Sequence, residues 1–273
     1  MRKKPEHMNE RMYDELIIAP LVIADIEAAC ALHDGEPEPR AELLWHLHTP
    51  YARVLKAVMD GRFVGYACAI VFEDSGWVRE IYIKPSFYGI GIGGILVQRL
   101  LSWMEEQGAM RQMVLAPEAT EAFWRSQGFQ ADGGLLHYED GTFLEASKDE
   151  VVHLEPEHML AVLHLDEQAT GERRVRMLRE HMYLGSVYLE KGRVRGFSLP
   201  LLGHGLIVAD APEVGLELQR WLLPLQPYLR LPVGHLPAHA HMIARKYTAK
   251  PAGLRMVRGD RPVYRPQMIY AHP

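Results

Sequence analysis

The chain has 273 residues, of which 48% are hydrophobic, and a formal net charge of -5 with a pI of about 6.3. This length and apolar content predict two domains of ordinary size. The slightly acidic balance lacks the basic surface that neutralises phosphate backbones, so it argues against a nucleic-acid partner and favours a small-molecule one.

Hydrophobic periodicity predicts the secondary structure of the first half. In chain order, the predicted elements are a strand from Leu16, helices at about 23–32 and 40–47, a hairpin through Asp60-Gly61, a strand from Trp77 to Ile83, a helix ending at Gly108, a strand at 112–116, a helix closed by Gly128 and β-type residues up to about Tyr138. An Asp-Gly pair between two apolar runs is a strong signal for a hairpin. The run from Trp77 is therefore expected to extend a sheet that this hairpin begins.

A cluster of charged residues at positions 145–150 separates the two halves of the chain. It shows neither apolar periodicity nor strong turn chemistry, so we predict a first domain over residues 1–145 and a second over residues 146–273. The order of elements in the second half repeats that of the first, including a hairpin at Lys191-Gly192. The corresponding strand-to-helix junction at residues 207–214 contains no glycine.

A glycine-rich loop joins the strand ending at Ile83 to the following amphipathic helix. Gly89, Gly91 and Gly93 have no side chain to block a ligand, and Gly94 is expected to open the helix. Several backbone N–H groups and the positive end of the helix dipole would then converge on one spot. This arrangement predicts an anion site, with a phosphate or pyrophosphate as the usual ligand.

Three interpretations of the glycines remain open from the residues alone. The first is a tight turn with no ligand. The second is a dinucleotide-binding loop, because Gly89, Gly91 and Gly94 satisfy G-x-G-x-x-G and Glu118 ends the next strand, where a ribose-binding acid is expected. A Rossmann turn normally follows the first strand of a parallel βαβ unit, however, and here helices and a hairpin come first. A Walker A loop is excluded because the Lys-Ser/Thr pair is absent.

The third interpretation is a family resemblance. The segment IYIKPSFYGIGIGGILVQRLL, residues 81–101, resembles the signature of the GNAT superfamily of acyl-CoA-dependent acyltransferases, in which a strand and a proline precede R/Q-G-x-G-x-G/A and a helix. The segment AFWRSQGF, residues 122–129, is similar to the later A-x-x-F/L-Y-x-x-x-G-F segment of that family. The resemblance covers roughly residues 15–140. It implies an α/β fold with a mixed sheet flanked by helices, followed by a second, degenerate GNAT-like domain without the glycine loop.

The resemblance also implies acetyl-CoA as cosubstrate. Its pyrophosphate would lie against the backbone of Gly89–Gly94, and its pantetheine arm would lie along the strand at residues 81–83 like an added strand. The expected cofactor-binding residues are Ile81, Tyr82, Ile83, Tyr88, Gly89, Ile90, Gly91, Ile92, Gly93, Gly94 and Trp124.

Direct attack of a primary amine on a thioester needs a deprotonated amine, a positioned carbonyl and an acid for the departing thiolate. Glu80 is the candidate catalytic base, because it lies on the strand that would hold the thioester. Strand alternation places its side chain on the face of Tyr82 and opposite Ile81 and Ile83. An ordinary ion pair is the alternative role for this carboxylate.

Two residues depart from the family pattern. Trp124 stands where the family usually has a tyrosine that serves as general acid, and an indole N–H is too weak an acid for that task. Tyr88 stands where an Arg or Gln usually helps to bind phosphate. These departures motivate a second hypothesis, a catalytically silent CoA-binding sensor or scaffold. A nicotinamide-dependent oxidoreductase is a third.

The expected reaction is transfer of an acetyl group to a primary amine of a small molecule or peptide. The second domain is expected to cover the acceptor side of the first, or to form the contact of a homodimer. The sequence does not identify the acceptor, because acceptor pockets in such enzymes are built from variable loops.

Other residue patterns give weaker signals. Cys30 and Cys68 lie in apolar stretches without C-x-x-C spacing, which indicates reduced, buried thiols. His235, His239 and His241 lie close together without a carboxylate or cysteine at ligand spacing, which favours a helix start with solvated imidazoles and no metal. No apolar run reaches the about 18 to 20 residues that span a membrane, and the polar start of the chain lacks the apolar region of a signal peptide. A cytoplasmic protein with no membrane partner is therefore expected.

Overall fold

The structure, a computed structural model, describes residues 16–33, 39–261 and 263–273. It confirms the mixed α/β fold and the predicted order of elements. The strands are β1 (Leu16–Pro20), β2 (Ala52–Met59), β3 (Arg62–Val71), β4 (Ser75–Ile83), β5 (Arg111–Ala116), β6 (Gln130–Glu139), β7 (Val151–His153), β8 (Ser186–Glu190), β9 (Arg193–Leu199), β10 (Leu206–Ala209), β11 (Leu229–Pro232), β12 (Thr248–Arg258) and β13 (Ile269–Ala271). The helices are α1 (Ile26–Cys30), α2 (Arg40–His48), α3 (Ile92–Glu106), α4 (Glu121–Ser126), α5 (Met159–Thr170), α6 (Val175–Glu180), α7 (Pro212–Leu222) and α8 (Leu236–Ala244).

Among the described residues, the first compact unit comprises residues 16–33, 39–71 and 76–112. Its strands β1, β2, β3 and β4 follow one another in an antiparallel order. The turn between β2 and β3 has positive φ angles of 51° at Asp60 and 71° at Gly61, as a hairpin turn that matches the strand twist requires. The predicted hairpin and its extension by the third strand are both confirmed.

Helix α3 buries one apolar face in this unit and carries the glycine loop at its start. The side chains of Leu96, Val97, Leu100 and Met104 are all fully buried, at the i, i+4 and i+8 spacing of an amphipathic helix. Gly108, with a φ of 88°, ends the helix as the sequence predicts. Burial of this face fixes the position of the loop that precedes the helix.

The second compact unit comprises the described residues 72–75, 113–261 and 263–273. One of its sheets has the order β13-β10-β9-β8-β7. Strands β7 to β10 are therefore neighbours in chain order, as β1 to β4 are in the first unit. This repetition agrees with the repeated order of elements in the sequence.

The division into units differs from the predicted boundary at residue 145. Strand β6 belongs to the second unit because it pairs antiparallel with β11 and β12, which come from the second half of the chain. Residues 113–144 therefore pack with the second half, although they precede the charged cluster. The compact units and the sequence repeat thus divide the chain at different places. The predicted boundary between residues 145 and 146 concerns the repeat, and it stays a prediction.

None of the helices in the described part of the chain combines the length and the hydropathy needed to cross a membrane.

Leu96→Ala tests the contribution of the buried face of α3. The substitution removes a fully buried side chain and is expected to lower the free energy of unfolding by about 2–5 kcal/mol, from lost burial and the cavity left behind. Urea denaturation measures it. Arg99→Ala, at an exposed position of the same helix, is the control and should change stability by less than about 0.5 kcal/mol. Equal effects of the two substitutions would contradict the assigned orientation of the helix.

Candidate functional site

The glycine loop leaves the start of α3 accessible. Gly89 and Gly91 have φ angles of 79° and 95°, which side-chain-bearing residues rarely adopt. A Cβ atom added at Gly89 would meet no atom within 4 Å, so the backbone faces open space there. The loop therefore has both the conformation and the room that the predicted anion site requires.

The helix begins at Ile92, earlier than the predicted opening at Gly94. The carbonyl of Gly91 accepts the first helical hydrogen bond from the N–H of Ile95 at 3.1 Å. The N–H groups of Ile92, Gly93 and Gly94 precede that first donor, so the helix supplies no acceptor for them. The left-handed conformation of Gly91 is the reason, because it turns the chain into the helix two residues sooner.

The helix start also has a favourable charge distribution for an anion. No side chain caps α3, and its first turn contains no acidic residue. The helix dipole places partial positive charge at this end. Nothing in the first turn of α3 opposes a phosphate group.

The corresponding helix start in the second unit is built differently. Helix α7 begins with Pro212, which has no N–H group, and has Glu213 in its first turn. Asp210 lies just before it and pairs with Arg195 at 2.8 Å, while Glu213 lies 3.8 Å from the same guanidinium. Carboxylates surround this helix start, which disfavours a bound anion.

Glu80 lies on β4 beside a break in the strand register. Cys68 on β3 pairs with Glu80, but Ala69 pairs with Val78, so Arg79 is an extra residue that forms a β-bulge. The hydroxyl of Tyr66 donates to Oε1 of Glu80 at 2.9 Å. The other carboxylate oxygen, Oε2, is buried and has no hydrogen-bond partner.

Burial is the main influence on the ionisation of Glu80. It raises the pKa of the carboxyl group, and the hydrogen bond from Tyr66 opposes that rise. The negative charge of Glu42 on α2 raises the pKa further, while the positive charge of Arg79 lowers it. The net shift is upward, which makes Glu80 a stronger base than an ordinary glutamate. An ion pair was the alternative role for Glu80, but among the described residues Glu80 forms no salt bridge.

His33, Tyr66 and Tyr82 form an aromatic cluster on the same face as Glu80. Nε2 of His33 lies 2.8 Å from the hydroxyl of Tyr66, and its ring centroid lies 3.9 Å from that of Tyr82. The hydroxyl of Tyr82 donates to the carbonyl of Leu32 at 2.8 Å. Because Tyr66 contacts both Glu80 and Tyr82, these two residues share a face, as strand alternation predicts.

The sequence reasoning did not identify Tyr66, His33 or Glu42 as site residues. Tyr66 lies on the middle strand of a predicted sheet, and its match with Glu80 depends on a bulge that no local pattern indicates. His33 is separated from Tyr66 by 33 positions. The alternation of side chains along β3 and β4 is the sequence signal that could have identified Tyr66. A tyrosine on the same face as a carboxylate of the neighbouring strand can donate a hydrogen bond to that carboxylate.

The two residues that depart from the family pattern lie in different surroundings. Tyr88 follows the short 3-10 turn Pro85–Phe87 in the first unit, and its side chain is 65% exposed. Trp124 lies on α4 in the second unit, where it is buried and packs edge-on against Phe123 and Phe129. The predicted contact of either residue with a cofactor stays a prediction.

Three histidines near α8 have partners within the protein, so the prediction of solvated imidazoles was wrong. His235 is fully buried at the N-cap, where it accepts from the N–H of Ala238, and burial lowers its pKa to about 4. His239 lies 2.8 Å from the hydroxyl of Tyr138, and His241 lies 3.0 Å from Gln219. The apolar packing of the short helix α8 against its neighbours brings these rings into contact with other residues of the protein.

The glycine loop lies within a segment of the chain that matches a known family. Residues 21–129 match the model of the family described as Acetyltransferase (GNAT) family. This segment contains Glu80, Tyr66, His33 and the whole glycine loop. Acetyl-CoA is the acetyl donor of that family, and binding of its diphosphate at the start of α3 stays a prediction.

Curated relatives match over part of the chain. Uncharacterized N-acetyltransferases of Mycobacterium bovis and of two strains of Mycobacterium tuberculosis are 28% identical over 92 residues. The match covers 32% of this chain and 59% of each relative. The chain therefore matches little more than half the length of these relatives.

Solved structures resemble the chain along most of its length. An acetyltransferase described as putative from Pyrococcus horikoshii has a TM-score of 0.78 at 19% identity and covers 98% of both chains. A GCN5-related N-acetyltransferase from Sphaerobacter thermophilus has a TM-score of 0.61 at 18% identity and covers 92% of this chain and 98% of that one. A tandem GNAT protein from the clavulanic acid biosynthesis pathway has a TM-score of 0.58 at 14% identity, with 90% and 98% covered. At these identities the similarity concerns the fold, which extends through the second half of the chain.

Two single-charge variants test the electrostatics of Glu80. Glu42→Gln removes a negative charge and is expected to lower the pKa of Glu80, whereas Arg79→Gln removes a positive charge and is expected to raise it. Carbon-13 NMR titration of the Glu80 carboxyl, assigned by comparison with Glu80→Gln, measures both shifts. Glu106→Gln, at the exposed end of α3, should leave this pKa unchanged. Shifts of the same sign in the two test variants would contradict the described charge arrangement.

Proposed function

Residues 21–129 of this chain are a GNAT acetyltransferase domain, and we propose that the protein transfers the acetyl group of acetyl-CoA to a primary amine of a small molecule or peptide. The amine attacks the thioester directly. The observation that carries the proposal is Glu80, a carboxylate with a raised pKa on the strand that leads into the glycine loop. The loop would bind the donor and the carboxylate would act as the base, which are two of the requirements of the reaction.

The start of α3 supports the binding of the donor. The N–H groups of Ile92, Gly93 and Gly94 would hold the diphosphate of acetyl-CoA, aided by the helix dipole. These donors belong to the backbone, so Tyr88 in place of the usual Arg or Gln removes an auxiliary contact and leaves the main ones. The backbone of Ile81–Ile83 would lie beside the pantetheine arm.

Glu80 supports the activation of the acceptor. An alkyl ammonium group has a pKa of about 10 and must lose a proton before it attacks. A base accepts that proton more readily as its own pKa rises toward the pKa of the donor. Oε2 of Glu80 has no hydrogen-bond partner, so it is the oxygen that would take the proton, while the bond from Tyr66 holds Oε1.

The departing thiolate does not require a tyrosine. A thiol has a pKa of about 8.5, so a thiolate is a tolerable leaving group near neutral pH. The Trp124 side chain has no acidic proton to give, and thiolate departure without a general acid is compatible with this residue. We propose that reprotonation of the thiolate takes place from water.

The second unit is proposed to bind no second acetyl-CoA. Asp210 and Glu213 place negative charge at the start of α7, and Pro212 removes one N–H donor there. Its proposed role is to contribute walls to the acceptor side or to form the contact of a homodimer. One donor per chain is the stoichiometry that follows.

A catalytically silent CoA-binding protein is the second candidate function. The observation that favours it is the buried Trp124, which replaces the family's acid by a ring that packs against Phe123 and Phe129. Such a protein would bind acetyl-CoA tightly and release no free CoA thiol with any amine. A panel of primary amines, read by thiol release, separates the two candidates.

Glu80→Gln tests the proposed base. With an amine accepted by the wild type, kcat/KM is expected to fall by about 10²- to 10⁴-fold, while the affinity for CoA should stay within about twofold because the carboxylate does not touch the loop. Wild-type kcat/KM should fall as the pH drops through the raised pKa of Glu80, because only the carboxylate form accepts a proton. Glu106→Gln is the matched control. Unchanged turnover in Glu80→Gln would overturn the assignment of the base.

Gly89→Val tests the donor site. The added side chain would occupy the open space beside the loop and strain a position with a φ of 79°, so we expect CoA affinity to fall at least tenfold, about 1.4 kcal/mol. Gly61→Val is a matched control, because Gly61 has a φ of 71° and equally open surroundings but lies in the hairpin turn. Isothermal titration calorimetry gives affinity and stoichiometry. Two CoA sites per wild-type chain, or equal effects of the two variants, would contradict the proposed site.

A further inference from the structure

We propose that Tyr66 and His33 form a relay that removes from Glu80 the proton taken from the acceptor amine. The inference rests on the proposed function, because it assumes that Glu80 is the base. It adds two positioning residues to the reaction and gives the proton a route out of a buried site.

The relay is a continuous line of hydrogen-bonding atoms. Oε1 of Glu80 lies 2.9 Å from the hydroxyl of Tyr66, and that hydroxyl lies 2.8 Å from Nε2 of His33. Tyr66 itself is fully buried, whereas His33 is partly exposed. The line therefore runs from a half-buried carboxylate through an enclosed hydroxyl to a partly exposed imidazole.

His33 is held in place by contacts that do not take part in the relay. Its ring lies on the ring of Tyr82, with centroids 3.9 Å apart. The hydroxyl of Tyr82 donates to the carbonyl of the preceding residue, Leu32. These contacts fix both the ring and the backbone of His33, so Nε2 stays within reach of Tyr66.

The proton transfer balances without any further reactant. The amine proton arrives on Oε2 of Glu80, and rotation of the carboxyl group turns this O–H toward the oxygen of Tyr66. The hydroxyl of Tyr66, which donates to Oε1 before the reaction, then turns its own proton to Nε2 of His33, which accepts it in the Nδ1–H tautomer. One proton then moves from Glu80 to the tyrosine oxygen as another moves from that oxygen to Nε2. Glu80 returns to the carboxylate form, Tyr66 stays neutral and His33 becomes an imidazolium, which passes a proton to water.

The relay answers a difficulty that burial creates. Burial raises the pKa of Glu80 and so favours its protonated form, which means that the base needs an exit for its proton before the next turnover. Burial also raises the pKa of the Tyr66 hydroxyl far above its ordinary value. Tyr66 is therefore expected to accept a proton from Glu80 as it gives its own proton to His33, and not to ionise.

Other groups around the relay act on its charge. Those that face Glu80 are Tyr66 and Cys68 on β3, Glu42 on α2 and Arg79 on β4, and those that face His33 are Tyr66 and Tyr82. The hydroxyl of Tyr66 has a hydrogen bond to Glu80 and one to His33. Tyr66 is thus the link that the test must remove.

Tyr66→Phe and His33→Ala test the relay in the full-length protein. Each is expected to lower kcat by about tenfold, less than loss of the base itself, and the double variant should lose no more than the single ones because both residues act on one route. The affinity for CoA should stay unchanged. Tyr138→Phe and His239→Ala are matched controls, because they interrupt another tyrosine–histidine hydrogen bond of 2.8 Å in the second unit, and they should leave kcat within twofold.

Two readouts separate a relay from a purely structural role. Added imidazole should restore kcat of His33→Ala and not of Tyr66→Phe, since a free base replaces the missing ring but cannot replace the link. In mixtures of light and heavy water, wild-type kcat should show a curved dependence on deuterium content, which indicates two protons in transit. This second measurement needs no variant and so does not depend on folding of the variants.

The outcomes distinguish failure of the relay from failure of the proposed function. If Glu80→Gln is impaired while Tyr66→Phe and His33→Ala retain kcat within twofold, the relay is wrong and the base stands. Losses that imidazole does not restore, combined with a linear deuterium dependence, overturn the relay as well. If Glu80→Gln retains full activity, or the wild type transfers no acetyl group, the proposed function fails and the relay fails with it.

Discussion

The site depends on the register of β4 against β3. The hydrogen bonds between these strands place Cys68 opposite Glu80 and then skip Arg79 in a bulge. A shift by one residue would turn Glu80 to the other face of the sheet and separate it from Tyr66. It would also move the end of β4, from which the glycine loop continues. The positions of the carboxylate and of the loop therefore both depend on the register of β4, although different roles are proposed for them.

The two halves of the chain show how a helix start either gains or loses an anion site. Helix α3 begins after Gly91, without a cap and without an acidic first turn, whereas α7 begins at Pro212 with Glu213 in its first turn and Asp210 just before it. The four strands that precede each helix are neighbours in chain order in both halves. The two helix starts therefore differ in their charges and in their N–H donors, which supports the proposal of one acetyl-CoA site per chain.

Burial of the Glu80 carboxylate is a second constraint on the site. Glu80 is kept in a half-buried place with one oxygen bonded to Tyr66 and the other without a partner. A buried polar atom without a hydrogen bond lowers stability. The unpaired Oε2 of Glu80 is therefore consistent with its proposed role, in which it binds a proton during the reaction. Trp124 differs from Glu80, because its ring is buried and packs against Phe123 and Phe129.

Sequence patterns alone determined the order of the elements, both hairpin turns, the glycine loop and Glu80 as the candidate base. These features follow from local chemistry, since strand alternation, turn residues and the unpaired N–H groups of a helix start are set by neighbouring positions. Only the tertiary structure decided that Tyr66 and His33 lie against Glu80, that β6 packs with the second half, and that His235 is buried. Those contacts join residues far apart in the chain, with 14 positions between Tyr66 and Glu80 and 33 between His33 and Tyr66. They depend on strand register and on a bulge, which arise from the packing of whole elements and leave no mark in the local pattern.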